Sequence, residues 1–530
     1  ESSAASDVYK RQLEKYIVHN SVVKNIVETQ ISFDQDFNVP DSKPDIERII
    51  NKRGTVQVDS VRINDGKAQV SGVLTAAVLY LGDEAACMTG SMEFMESINA
   101  EVESADEKVQ CDTRLEDLIV RVVNSRKINV RAVITVKLYS EKYEDVELPY
   151  ECAAEDSGLQ VKKENIGYAQ LTVNSTDSLR IRCNIDIPKA SPDIAEIVWD
   201  EVDVCPVAFH MTDSGINAEV LVNIFAIYRS NDGIMMWHES QENVTQAVDV
   251  SGASADAVCF VSCRQQSGNV QIRPDADGED RVLEAEAVCE LGIHAYEEKN
   301  HEIVTDCYIP AGEAIAVTSQ AKLLKLMTHN NTRCRAAGML KTDTGAIGDI
   351  CSCRGQVKVQ DISYEESNVE VNGTVDVNAL CTDKSGMLYC VKGEIPFGQK
   401  IEVRGMEDFC KMGGKKAEEV ISLMMNADLE KINAVKASDG IEVKASAALD
   451  VIVFGSTKRD IIDDIRIQEA DKAEYMSLPL ITGYIVKPGD TLWSIAKSHH
   501  TTADDIKTCN TLKGEEVNAG DRLILMKKGI

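Results

Sequence analysis

Four groups of residues have types and spacings that could hold a ligand or a metal. Cys259 with Cys263, and Cys351 with Cys353, bring pairs of thiols close together, as zinc sites do. Neither has a second pair at zinc-site spacing, and both lie in apolar, strand-like stretches, so they read as buried or half-buried strand thiols. Asp275-Ala276-Asp277-Gly278-Glu279-Asp280 gathers carboxylates round a glycine. Without the spacing or distal Glu of an EF-hand it reads as a solvated acidic turn. The fourth is Trp493, which lies roughly 100° around a helix from Leu492, at the edge of a core or on a binding surface. No Walker loop, GxSxG elbow or HExxH occurs, and the eight His are scattered. The sequence therefore offers no catalytic residue, no metal site and no cofactor motif, and an enzyme is not expected.

The charge narrows the partners. Against 56 Lys and Arg stand 87 Asp and Glu, a formal charge of −31 over 530 residues. A nucleic-acid binder needs a basic footprint and an anionic membrane surface attracts one, so both partners are excluded. Tyr484 to Ile530 holds seven basic and six acidic side chains, near +1, which leaves about −32 on the first 483 residues. An acidic body beside a near-neutral module suits a scaffold better than an anchor in an anionic wall. No apolar run reaches the roughly 18 residues of a membrane span. Glu1 to Asp7 has neither a basic nor an apolar stretch, so no secretory signal is expected there, although the absence of an initiator Met leaves the true start open. Sixteen Cys spread thinly over a long chain, with Cys183, Cys289 and Cys381 inside apolar patterns, suit a reducing cytoplasm.

The elements that would position these residues are mostly strands. Ile128, Val130, Ala132, Ile134, Val136 and Leu138 alternate with polar neighbours, the period of a strand with one buried face. Asn64-Asp65-Gly66, Asp213-Ser214-Gly215 and Ser438-Asp439-Gly440 separate such runs as hairpin turns do. A helix is expected within Tyr9 to Val27, leading into a strand, and a short one within Lys415 to Met425. The chain also repeats itself. Pro44-Asp45-Ile46 returns as Pro192-Asp193-Ile194, and Leu79-Tyr80 returns as Ile227-Tyr228 at the same displacement of 148. A third copy starts at Gly345-Ala346-Ile347 and has Leu380-Cys381 at the strand end, a displacement of 153 from the second. Copies of this size are expected to fold independently, with Trp199 and Trp237 in their cores.

The end of the chain has a different rhythm. A strand from Tyr484 stops at Pro488-Gly489, Asp490 or Thr491 can cap a helix bearing Leu492, Ile495 and Ala496, and Thr502 with Asp505 resembles a capping box for a second helix. Gly520-Asp521 turns into a closing strand, Arg522 to Leu525. This order, together with Tyr484-Ile-Val-Lys-Pro-Gly-Asp-Thr-Leu-Trp493, Asn510-Thr-Leu512 and Gly520-Asp-Arg-Leu-Ile-Leu525, resembles a LysM domain. The resemblance implies binding of N-acetylglucosamine-containing glycans, peptidoglycan among them, in a groove between the Gly489–Leu492 loop and the Asn510–Gly520 loop. The site residues it implies are Gly489, Asp490, Thr491, Leu492, Asn510 and Leu512, with Trp493 on the adjacent face.

The repeats resemble the SPOCS domain of spore-coat-associated proteins, on the strength of Val39-Pro-Asp-Ser-Lys-Pro-Asp-Ile46 and Asn124-Ser-Arg-Lys-Ile-Asn-Val130. By these motifs the first copy matches well, the second less so, and the third lacks the Pro-Asp signature. The expected fold is mainly β: a lead-in at 1–29, SPOCS-like repeats at 30–160, 161–320 and 321–475, and a small α+β LysM domain at 481–528. The combination is similar to spore morphogenetic proteins of anaerobic endospore formers. It implies a non-enzymatic scaffold of coat assembly in the mother-cell cytosol, at the forespore surface. The partner so implied is the ATPase that polymerises into the coat's basement layer, recruited through the Leu492 and Trp493 face. The alternative is a peptidoglycan-binding protein of the cell wall or spore cortex.

Overall fold

The computed structural model describes residues 13–64, 66–100, 108–152, 158–342, 347–365, 367–413, 416–469 and 472–528. Three units of six strands follow one another. The first comprises β1 (Leu13–Asn38), β2 (Arg48–Asn64), β3 (Lys67–Leu81), β4 (Ala85–Asn99), β5 (Lys108–Asn124) and β6 (Lys127–Cys152). The second comprises β7 (Gln160–Asp186), β8 (Ile194–Met211), β9 (Gly215–Ser230), β10 (Met235–Asp249), β11 (Val258–Pro274) and β12 (Asp280–Tyr308). The third comprises β13 (Gly312–Lys341), β14 (Ile347–Glu365), β15 (Asn368–Asp383) and β16 (Leu388–Glu402), then helices α1 (Met406–Gly413) and α2 (Ala417–Val420), then β17 (Ile421–Ala437) and β18 (Gly440–Glu469). After them come α3 (Lys472–Ser477), β19 (Ile481–Ile485), α4 (Leu492–Ser498), α5 (Ala503–Asn510) and β20 (Arg522–Met526).

Each unit is built the same way. Its middle strands form an antiparallel meander, 2-3-4, 8-9-10 or 14-15-16, and its outer strands form a second sheet, 1-6-5, 7-12-11 or 13-18-17. The period-two pattern decides which side chains lie between the sheets. Ile128, Val130 and Ala132 of β6 meet Leu74, Ala76, Val78 and Tyr80 of β3 in one apolar cluster. Burying each of the larger side chains contributes roughly 1.5–3 kcal/mol.

The sequence motifs that mark the repeats are held together by an arginine. Arg126 donates to the carbonyl oxygens of Lys43 (2.7 Å), Pro40 (2.9 Å) and Val39 (3.2 Å), and to the Asp45 carboxylate at 3.1 Å. Arg281 repeats this in the second unit, donating to Ser191 O at 2.7 Å and pairing with Asp193 at 2.8 Å. We expect Arg126→Ala to cost about 2 kcal/mol, because several corner carbonyls lose a charged donor together. A shift of the urea midpoint at constant slope measures this, and a change below about 0.5 kcal/mol would refute the corner's role.

One expected helix is corrected and the other is present but short. Over its described part, Tyr9 to Val27 belongs to β1, paired with β6 from Leu13 to Asn38, so no separate lead-in ends at residue 29. Its outer half packs on the other units: Val18 is buried with Ile166, Ile303, Leu323 and Ile461, and the Asn20 amide donates to Lys322 O at 2.9 Å. The short helix expected within Lys415 to Met425 is present as α2, and from Ile421 the chain pairs with β18 as β17.

The units are not separate bodies. Leu79, Ile227 and Leu380, at matching positions of the three repeats, meet in one cluster with Trp199 and Phe225. Beside it are another three matched positions, Arg53, Glu201 and Arg354, cross-strand neighbours of Ala77, Phe225 and Asn378. Arg354 Nε lies 2.7 Å from Glu201 Oε2, and Arg354 also pairs with Asp203. Trp199 Nε1 donates to Glu201 Oε1 at 2.9 Å, and the Arg53 guanidinium sits 5.5 Å over the Trp199 ring. The expected independence of the repeats therefore gives way to a body that shares part of its core. Trp199 is buried as expected. Trp237 is 40% exposed, because edge strand β10 leaves it outside the sandwich.

Candidate functional site

Residues 481–526 build a strand-helix-helix-strand module whose local chemistry follows its sequence. Gly489 turns the chain after β19 with φ +90°. The Asp490 carboxylate accepts from Tyr484 OH (2.7 Å) and Lys487 N (2.8 Å), and these donors, Tyr484 first, hold its pKa below the usual carboxylate value. Thr491 caps α4 in a reciprocal box: its Oγ1 accepts from Ser494 N at 3.1 Å while Ser494 Oγ accepts from Thr491 N at 2.9 Å. Thr502 caps α5 by accepting from Asp505 N at 3.0 Å. Leu492, Ile495 and Ala496 are buried with Ile506, Leu523 and Leu525.

The site residues expected from sequence separate into three kinds. Leu492 is 3% exposed and belongs to the core. Asn510 fastens α5 to β20, donating to Ile506 O (2.9 Å) and Ile524 O (2.8 Å) and accepting from Ile524 N (2.7 Å); Leu512 packs on the same core. These three side chains are committed within the module. Gly489 and Thr491 are exposed and Asp490 is half-buried, so this loop stays open to solvent, as does most of Lys513 to Gly520 across from it.

Trp493 faces the body of its own chain. Its Nε1 donates to Asp306 Oδ2 at 2.8 Å, and its ring meets Tyr308 edge-on, centroids 4.8 Å apart. Lys497 Nζ lies 2.6 Å from Asp306 Oδ1, and Tyr308 OH donates to Thr501 O at 3.0 Å. Tyr308 is 4% exposed and joins the module's core cluster. A register shift between Val304 and Asp306 lies at this end of β12, and such bulges re-aim side chains at strand ends. Burial opposes ionisation of Asp306, yet the donors Lys497 and Trp493 outweigh it and hold the pKa below the usual value. Burial, followed by the nearby Asp505, Asp504 and Asp306, pushes the Tyr308 hydroxyl up to about 12. A second tie comes from α3: Tyr475 OH donates to Lys528 O at 2.6 Å, and Lys527 Nζ donates to Tyr475 O at 2.6 Å.

Sequence reasoning missed Asp306 and Tyr308. No local signal marked them: Tyr308 stands three residues after the shifted position of β12, where the third unit, counted the same way from Asp463, has Arg466, and those positions are defined only by the strand register. The module's open apolar surface is the outer face of its two-stranded sheet. Ile481 and Ile485 are each 60% exposed, Ile524 52% and Met526 43%.

Fold and site thus define a β-rich repeat body carrying a small binding module. The LysM domain model matches residues 484–525, and the model described as SipL, SPOCS domain matches residues 45–123 and 346–436. The chain carries tandem SPOCS domains and a C-terminal LysM domain. No curated protein and no solved structure matches it. The SPOCS spans run from β2 through β5 and from β14 through β17. The first and third copies are therefore the ones matched, which corrects the ranking read from the Pro-Asp signature. Both domain types are binding or scaffold domains, as in a sporulation-related adaptor or a glycan-binding protein. Among the described residues no helix is long and apolar enough to cross a membrane.

Proposed function

We propose that this chain is a non-enzymatic scaffold of bacterial spore coat assembly, acting in the mother-cell cytosol at the forespore surface. In this reading its LysM domain recruits a coat morphogenetic partner, by family resemblance the ATPase of the basement layer. The observation that supports it most is the exposed sheet face of Ile481, Ile485, Ile524 and Met526 on a module whose opposite side is clamped to an acidic body. Scattered exposed apolar residues need no explanation, but four on one small sheet mark an interaction surface. The open loops at Gly489–Thr491 and Lys513–Gly520 favour the second reading, a glycan groove, and the same experiment separates the two.

Full-length chain carrying Ile485→Asp and Ile524→Asp is compared with the parent for capture of the coat ATPase from sporulating cells and for binding to purified peptidoglycan. We expect ATPase capture to fall at least tenfold, a loss of about 1.4 kcal/mol, with the melting temperature unchanged. Unchanged capture, alongside tight peptidoglycan binding abolished by Thr491→Arg, would replace the scaffold by the wall-binding reading.

A further inference from the structure

The turns joining β3 to β4, β9 to β10 and β15 to β16 come together above the cluster of Leu79, Ile227 and Leu380. Between them opens a cavity of about 370 Å³ with residues from all three units in its wall. Its floor is apolar and buried, with Ile50 6%, Ile227 2% and Cys351 3% exposed. Its mouth is apolar and open, with Trp237 40% and Met387 48% exposed, and Ile234, adjoining it, 56% exposed.

The rim is acidic. Asp83, Glu84 and Asp232 are exposed on the turns. Among the cations, Arg229 is held by Glu84 and Glu196, and Arg48 donates to Leu388 O at 3.0 Å. Lys384 is the exposed basic residue on these turns. A pocket near the lower end of the usual ligand range admits one or two large side chains, and methionines at its wall, Met235, Met236 and Met387, adapt to the shape of what enters.

We propose that this composite pocket is a docking site for a peptide segment of another protein, with a large apolar anchor residue flanked by lysines or arginines. The anchor fills the cavity, and the flanking cations meet Asp83 and Asp232, the rim carboxylates not taken up by Arg229. A second copy of this chain is disfavoured as occupant, because two bodies of the same strongly negative charge repel. The pocket draws residues from three separate units, so it exists only on the assembled body. This inference is independent of the role proposed for the LysM module.

The test is selection of a phage-displayed library of random dodecapeptides on the full chain, followed by binding of the enriched peptides to two variants. Met387→Lys puts a cation over the mouth; Asp83→Lys with Asp232→Lys reverses the rim. All three positions are exposed, and unchanged melting confirms the fold. We expect enriched peptides with a Leu, Met, Phe or Trp between basic residues, lost with Met387→Lys and weakened about tenfold by rim reversal and by high salt. Should Met387→Lys lower the melting temperature, rim reversal alone decides. Peptides insensitive to the variants, peptides with acidic flanks, or no enrichment would each overturn the proposal.

Discussion

Arg354→Met is expected to destabilise the body by about 3–5 kcal/mol, the usual cost of breaking a buried ion pair and leaving one charge behind. Arg354 and Glu201 are both almost wholly buried where the units join, and the side chain of Glu201 is 11% exposed. Burial works against the Arg354 charge, but Asp203 and Glu201 outweigh it and raise its pKa. Burial likewise pushes the Glu201 pKa up, opposed by Arg354. Without the arginine that opposition is gone and the folded pKa rises further. A carboxyl with a raised folded pKa contributes stability that is fully present below its unfolded value, about 4.3, and is lost as pH rises through the folded value. The deficit of Arg354→Met should therefore be smallest at pH 4 and grow as pH rises, read as shifts of the denaturant midpoint. Adding Glu201→Gln, which keeps an acceptor for Trp199 Nε1, should recover most of the loss. A deficit below about 1 kcal/mol, or one independent of pH, would show that the pair does not hold the units together.

The second large effect concerns the module's seat. Asp306→Ala removes the acceptor of both Trp493 Nε1 and Lys497 Nζ. Such charged hydrogen bonds contribute about 1.5–3 kcal/mol each when buried. Here the side chains of Asp306 and Lys497 are 34% and 44% exposed, so solvent screening reduces the sum. We expect a net loss of about 2 kcal/mol, roughly a thirtyfold shift toward the undocked module. Iodide quenching of Trp493, measured against a Trp493→Phe reference, reports the undocked fraction. Because the folded pKa of Asp306 is depressed, the contact is complete above the unfolded value of about 3.9 and weakens as pH falls through the folded one. Parent protein acidified through that folded value should thus come to resemble Asp306→Ala at pH 7. Capture of the coat ATPase then decides between the two faces of the module. Recruitment through Trp493 would make capture rise with the undocked fraction, whereas recruitment through Ile485 and Ile524 leaves it unchanged.

Much of this molecule is legible as local pattern. The alternation from Ile128 to Leu138 puts all six apolar residues in the core, each at most 2% exposed. Thr491 and Thr502 cap the helices they precede. Of the groove residues, the open loop at Gly489–Thr491 was readable from the turn and cap chemistry, whereas the internal role of Asn510 depends on where β20 returns beside α5. Leu492 lies in the helical stripe with Ile495 and Ala496, and the core claims it rather than the groove.

By itself, the sequence determined the period of most of the strands, several turns between them, the capped helices of the LysM segment and the threefold repetition. All of these depend on residues within a few positions of one another or on self-similarity. The tertiary structure decided what depends on distant partners. Tyr16 and Val18 become strand because Leu148 and Val146, more than a hundred residues later, supply the hydrogen-bonding edge. Leu79, Ile227 and Leu380 look like ordinary strand ends until three units bring them into one cluster. Trp493 was balanced between core edge and binding surface, and the balance was broken by Asp306, 187 residues earlier. Helical periodicity gives a side chain's direction around its own axis, but which surface lies in that direction is set by the packing of whole units.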